Sequence, residues 1–138
     1  MTSVAVWVLT ACGVVVVLIG GYFVAARPPL LAEDARYLGS TVQELAQAVP
    51  ALSSWLRRVF WVLGGFALST GVLVIYVAQT VVNTHNAGGL VILTTAATTS
   101  AGIMTVVNFM IRSAFKWALL ALYVVWTIGL LLAAIGHG

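Results

Sequence analysis

Few residues of this chain of 138 carry groups that could act as acids, bases, nucleophiles or metal ligands. They are one cysteine, three carboxylates and two histidines: Cys12, Glu33, Asp34, Glu44, His85 and His137. The sequence contains no Gly-x-Ser-x-Gly, no His-Glu-x-x-His and no Gly-rich phosphate loop. We therefore predict a protein that is not an enzyme and that needs no cofactor.

The two histidines are the residues best suited to hold a metal or a haem iron. His85 falls in a predicted turn and His137 is the penultimate residue, so ordinary solvated side chains explain both, and we predict no metal site. Cys12 can form neither an intrachain disulfide nor a cysteine-based metal site, because it is the single cysteine. We interpret it as a small packing residue.

The composition predicts a membrane protein. Hydrophobic residues make up 62% of the chain and charged residues 7%, whereas soluble domains carry about 25% charged residues. A span needs about 20 residues, so the uncharged tract between Arg58 and Arg112 has the length of two spans joined by a turn. We predict an all-α fold, a single membrane domain formed by a four-transmembrane-helix bundle. Its spans are expected at about 3–26, 59–82, 90–111 and 117–135.

Breaker residues set the ends of these spans. Arg27-Pro28-Pro29 ends the first span, since two prolines cannot continue a helix. That span is expected to be permanent rather than a signal peptide, because no Lys or Arg precedes it. Residues 83–89 read as a turn. The short links predict that spans two, three and four pack as antiparallel neighbours.

The basic residues predict the topology. All of them fall in the first and third loops: Arg27, Arg36, Arg57, Arg58, Arg112 and Lys116. Loops of this kind stay in the cytoplasm, so both termini are expected outside the cell in a multi-pass inner-membrane protein. Because each basic residue lies beside a span, the net charge of +3 does not indicate nucleic-acid binding.

The first loop, residues 27–58, is predicted to be an amphipathic helical loop on the inner membrane surface. Ser40 or Thr41 can cap a helix, with Gln43 or Glu44 at the capping-box position. Pro50 is expected to bend this helix or to begin its second half. Its apolar side comprises Val42, Leu45, Val49, Leu52 and Leu56. The expected interfacial residues are Trp55, Arg57, Arg58, Trp61, Arg112 and Lys116.

The third span carries a stripe of small and polar residues at helical spacing. It comprises Thr94, Ala97, Thr98, Ala101, Thr105 and Asn108. Two interpretations stay open: a close seam between helices, or a groove for a ligand or solute. Asn108 is expected to bond to a neighbouring helix or to Arg112, with a ligand contact as the alternative, because an unpaired buried amide is costly.

Glycines mark further packing surfaces in the other spans. Gly64 and Gly71 lie on one side of span two, Gly129 lies in span four, and span one carries Gly13, Gly20 and Gly21. None of the predicted spans contains Asp, Glu, Lys or Arg, which disfavours ion-coupled transport and intramembrane acid–base catalysis.

The region from Glu33 to Val82 resembles a group of small uncharacterised bacterial inner-membrane proteins. The resemblance is carried by three segments: Glu33–Gly39, Gln43–Pro50 and the run Arg57–Phe66 that enters a Gly-Gly span. It implies a bacterial inner membrane and no catalytic activity.

The predicted function is that of a non-catalytic membrane subunit. Small-residue faces, spans without charge and a near absence of extramembrane domain favour a chain that packs against other membrane helices. It is expected to serve as an accessory subunit or to associate with itself, with the bilayer as its surroundings. The alternative is a protein that binds or transports a lipid, quinone or small solute along the stripe of the third span.

Overall fold

The fold is built from helices. The computed structural model describes residues 2–80, 82 and 87–136, and this part of the chain contains no strand. The α-helices are α1 (Thr2–Ala25), α2 (Ala32–Tyr37), α3 (Val42–Ala48), α4 (Leu52–Thr80), α5 (Ala87–Ala97), α6 (Ile103–Met110) and α7 (Lys116–Ile135). A π-helical segment, Thr98–Gly102, joins α5 to α6. His85, His137 and most of the predicted turn 83–89 lie outside the described residues.

Among the described residues, four helices are long and apolar enough to cross a membrane, which agrees with the predicted number of spans. They are Ser3–Ala25, Leu52–Thr80, Ala87–Met110 and Lys116–Ile135. The second of them begins at Leu52 rather than near Val59, because the helix resumes directly after Pro50 and carries Arg57 and Arg58 in its first turns. The third runs through α5, the π segment and α6.

The four spans form a ring in which α1 packs against α4 and α7, and the third span packs against the same two helices. Helix α7 packs along α5, the π segment and α6, as the short link predicts. Helix α4 contacts the third span through α5, as the short link predicts. It packs more extensively on α1, which the sequence did not predict. The largest side chain of the core is Trp126, which is fully buried beside Leu9 and Leu93 in the same apolar cluster.

The first and third loops meet at one end of the bundle, here called the basic end because all six basic residues lie in these loops or the adjoining helix turns. Gly39 turns the chain between α2 and α3 with φ of 69°, a conformation that glycine adopts without steric cost. Thr41 caps α3: its hydroxyl accepts from Glu44 N at 3.2 Å while the Glu44 carboxylate accepts from Thr41 N at 2.9 Å. The predicted capping box is therefore present with Thr41 and Glu44.

Candidate functional site

Two reciprocal glycine pairs bring α1 and α4 into backbone contact. A Cβ built on Gly20 would lie 2.8 Å from the carbonyl oxygen of Gly64, and one built on Gly64 would lie 2.8 Å from that of Gly20. Gly13 and Gly71 form the second pair, with corresponding distances of 3.0 and 2.7 Å. Only glycine fits such an approach, so these residues form what we call the glycine seam.

The remaining glycines divide into packed and open positions. Gly129 of α7 faces α1, where an added Cβ would lie 3.0 Å from side-chain carbons of Val8 and Leu9. Gly21 and Gly65 have no atom within 4 Å of an added Cβ. The structure therefore uses Gly64, Gly71 and Gly129 for packing within the chain, whereas Gly21 lies off the seam.

The stripe predicted on the third span is split by the π segment. Ala97, Ala101 and Thr105 are buried, whereas Thr94 and Thr98 are exposed. A π turn holds an extra residue, which shifts the register of the following helix by about 100°. Before the π segment the buried line instead runs through Gly89 and Leu93. Thr94 and Thr98 are thus not part of the inner face, because the prediction assumed an uninterrupted α-helix.

Thr105 and Asn108 continue the predicted stripe after the π segment, and both side chains hydrogen-bond to carbonyls of their own span. Asn108 is half-buried, and its Nδ2 donates to the carbonyl of Met104 at 2.8 Å, rather than to a neighbouring helix or to Arg112 as predicted. The hydroxyl of Thr105 donates to the carbonyl of Ala101 at 2.7 Å. Ala97 and Ala101 are the small buried residues of this stripe, and both belong to the apolar core.

Four threonines of the third span face outward and form what we call the outer hydroxyl face: Thr94, Thr95, Thr98 and Thr99. The hydroxyls of Thr95, Thr98 and Thr99 donate to carbonyls one turn earlier, at 2.8 to 2.9 Å. Their donors are thus satisfied, and their oxygens remain able to accept a hydrogen bond. These four threonines leave hydroxyl oxygens on the outside of the third span.

A groove opens beside this face, between α4 and the third span. It has a volume of about 380 Å³ and is walled by apolar side chains together with the three hydroxyl residues Thr70, Thr95 and Thr99. Leu73 and Val74 line its α4 side, and Ile92 and Ala96 line its α5 side. The groove lies on the side of α4 that faces the third span, whereas the glycine seam lies on the side that faces α1. We call it the lateral groove.

At the basic end, α2 is fastened to the link between α6 and α7. The Glu33 carboxylate accepts from Ser113 Oγ at 2.7 Å and from Ala114 N at 3.2 Å, and Arg36 donates to the carbonyl of Arg112 at 3.2 Å. Ser113 is 1% exposed and Arg112 adopts a φ of 54°. We call this contact the α2 clamp.

The α2 clamp was not predicted from the sequence, in which Glu33 and Asp34 stood only among the few carboxylates of the chain. Asp34 in fact accepts from Leu31 N at 3.0 Å and from Arg27 at 3.3 Å. The Arg27 guanidinium carbon lies 3.6 Å from the centre of the Phe60 ring. The adjacent acidic pair in the first turn of α2 was the signal available, but the partners of Glu33 lie far away in the sequence.

The residues predicted to be interfacial all lie at the basic end. Trp55 and Trp61 are 58% and 52% exposed, and Arg57, Arg58 and Arg112 are exposed. Lys116 is half-buried with its ammonium 5.8 Å from the Phe109 ring. Hydrogen bonds from Ser40 and Thr41 lower the pKa of Glu44, which lies on the same end of the molecule.

No group of three or more metal-ligating side chains comes together among the described residues. No family model, curated protein or solved structure matches this chain. The candidate sites for a function are the outer hydroxyl face, the lateral groove and the basic end.

Proposed function

We propose that the protein is a non-catalytic integral membrane subunit that binds a transmembrane helix of another chain through its outer hydroxyl face. The observation that carries this proposal is the exposure of Thr94, Thr95, Thr98 and Thr99 on one side of the third span. Hydroxyl and small residues are enriched where transmembrane helices meet, because they allow close approach and interhelical hydrogen bonds.

The internal packing of the chain supports this choice of surface. Gly64, Gly71 and Gly129 are already packed against α1, so these small residues are not free for an outside helix. The threonine side of the third span, by contrast, is left open by the single chain, since Thr94, Thr95, Thr98 and Thr99 are all exposed. An outside helix would bury the threonine side that the monomer leaves open.

The π segment also supports the outer hydroxyl face as the binding surface. π-bulges occur frequently at functional sites, since they widen a turn and re-aim the residues that follow. Here the bulge lies among the exposed threonines, with Thr98 and Thr99 inside it. It turns Thr98 outward while Ala101 stays in the core.

The proposal includes an orientation in a bacterial inner membrane. The basic end would face the cytoplasm, because short loops rich in Lys and Arg are retained there. Both termini would then lie on the outer side, and α2 and α3 would lie near the inner membrane surface. The bacterial assignment rests on the resemblance over Glu33 to Val82.

A second candidate function, binding of a lipid, quinone or small solute, is favoured by the lateral groove. Its walls are apolar, with Thr70, Thr95 and Thr99 as the polar contacts. Ligand sites commonly combine an apolar wall with a few polar groups. Enlarging Ala96 to Leu would fill this groove, so a molecule retained by the native protein and lost from Ala96→Leu would favour the second function.

The particle mass in mild detergent tests the proposal. The chain weighs 14.5 kDa, and the native particle is expected to contain at least one further chain. Thr94→Trp should reduce it to the single chain, whereas Ile128→Trp, a matched change at an exposed position of α7, should leave the assembly intact. A native particle of one chain plus detergent would contradict the proposal. The mass and the identity of the second chain distinguish self-association from an accessory role.

A further inference from the structure

A second pocket lies at the basic end, between the last turn of α1 and the first turns of α4. Its volume is about 310 Å³, and its walls include the chain from Phe23 to Pro29 together with Arg57, Phe60 and Trp61. Unlike the lateral groove, it is lined mostly by polar surface, and Arg27 and Arg57 are among its lining residues. It lies apart from the outer hydroxyl face, and its placement on the cytoplasmic side rests on the proposed orientation.

The two arginines of this pocket differ in their partners. Arg27 is paired with Asp34 at 3.3 Å, and its guanidinium also donates to the carbonyl of Pro28 at 3.1 Å. Arg57 is exposed and has no carboxylate within ion-pair distance among the described residues. The pocket therefore carries one uncompensated positive charge, which one singly charged phosphodiester would neutralise.

The aromatic side chains restrict which headgroup can enter. Choline-type cations bind to open aromatic faces, but the guanidinium carbon of Arg27 lies 3.6 Å from the centre of the Phe60 ring and 5.4 Å from that of Phe23. Arg27 thus occupies the faces of Phe60 and Phe23, and Trp61 is the aromatic side chain of the pocket that stays open. The unpaired charge of Arg57 leaves the phosphate as the group that the pocket recognises.

The location matches the depth of lipid phosphates. Trp61 is 52% exposed beside the pocket, and tryptophan is enriched at the level of the headgroups. Basic pockets between transmembrane helices at the cytoplasmic side are suited to anionic headgroups. We infer that the pocket formed by Arg27, Arg57, Phe60 and Trp61 binds the phosphate of an anionic phospholipid, with Arg57 as its charge partner and the acyl chains along α1 and α4.

Native mass spectrometry of the detergent-solubilised full chain tests this inference. Phosphatidylglycerol and phosphatidylcholine with identical acyl chains are titrated separately, and the bound fraction is measured. Arg57→Gln removes the unpaired charge and should weaken phosphatidylglycerol binding about fivefold. Arg58→Gln is the matched control, because Arg58 is also exposed and carries the same charge but does not line the pocket. It should change binding less than about twofold.

Lipid binding by the native chain and the two variants distinguishes a defined site from a diffuse charge effect. Preference for phosphatidylglycerol over phosphatidylcholine, lost in Arg57→Gln and kept in Arg58→Gln, supports the site. Equal loss in both variants would show a diffuse charge effect and overturn it, as would equal retention of the two lipids. A glycerol phosphate arm separates the sources of phosphate: displacement of the lipid by millimolar glycerol phosphate would assign the pocket to a soluble ligand and overturn the lipid assignment. Unchanged melting temperatures show that the variants remain folded.

Discussion

Glu33 and Ser113 are 80 positions apart in the sequence and are joined by a hydrogen bond of 2.7 Å. This bond ties the first loop to the third, so that α2 and the link after α6 form one unit at the basic end. The same carboxylate accepts from Ala114 N, and Ala35, two residues further along α2, is 2% exposed. The loop between α1 and α4 is thus fastened at α2, whereas α3 has no buried residue.

Removing the Glu33 carboxylate should release α2. Hydrogen bonds to charged groups contribute about 1.5–3 kcal/mol, so Glu33→Ala is expected to loosen the α2 clamp and speed tryptic cleavage after Arg36 and Arg112. Glu44→Ala is the control, because Glu44 caps α3 and makes no contact with the link. Cleavage after Arg36 that is equally fast in both variants, or unchanged in Glu33→Ala, would refute the clamp.

The glycine seam predicts opposite effects for neighbouring glycines. A Cβ at position 20 would lie 2.6 Å from the backbone nitrogen of Leu68, which cannot move without shifting α4. Gly20→Ala should therefore lower the stability by about 1–3 kcal/mol, the usual range for overpacking. Gly21→Ala meets no atom within 4 Å and should leave the stability unchanged or raise it by up to about 1 kcal/mol.

Thermal unfolding in detergent measures both glycine variants under the same conditions. Gly64→Ala and Gly65→Ala provide the same comparison from the α4 side, since Gly64 is in the seam and Gly65 is open. Equal melting temperatures for Gly20→Ala and Gly21→Ala would mean that α1 and α4 are not in backbone contact.

The inner face of the third span predicts a graded response. Ala101 is 1% exposed, so Ala101→Leu should overpack the core and lower the stability by about 1–3 kcal/mol. Thr105→Val keeps the shape and removes one bond within the same helix, so its loss should be about 1 kcal/mol or less. The melting temperatures of the two variants check that Ala101 and Thr105 lie on the inner face of the third span. An Ala101→Leu variant as stable as the native chain would place Ala101 outside the core.

The topology predicts which engineered cysteines are accessible from outside the cell. In a Cys12→Ala background, Thr84→Cys should react with a membrane-impermeant thiol reagent in intact cells, and Gln47→Cys should react only after permeabilisation. Gln47 is exposed on α3, so burial does not protect it. Reaction at Gln47→Cys with silence at Thr84→Cys would reverse the orientation.

Local patterns in the sequence predicted the parts of the fold that depend on local physics. The charge-free tracts before Arg27, between Arg58 and Arg112 and after Lys116 predicted the number of spans, because a charge is costly inside a bilayer. The spacing of Thr41 and Glu44 gave the start of α3. These features need no knowledge of distant contacts.

Other features depend on contacts that spacing does not encode. The π segment cannot be read from a repeat of 3.6 residues, so Thr94 and Thr98 were assigned to the inner face although they are exposed. The pairing of Gly20 with Gly64 requires α4 to lie against α1, whereas the short link after α4 suggested close packing with the third span. In the sequence Glu33 resembles a solvated carboxylate, because no local spacing shows that the fold places Ser113 beside it.

Disulfide crosslinking in native membranes tests the outer hydroxyl face most directly. Thr98→Cys and Val125→Cys, in a Cys12→Ala background, place one thiol on that face and one at an exposed position of α7. If the partner is a second copy, oxidation should join two chains through Thr98→Cys and not through Val125→Cys. For a different partner, a photoreactive residue at position 98, but not at 125, should capture one defined membrane protein. Lipid adducts alone at position 98, with no chain captured by either chemistry, would contradict the proposed subunit function.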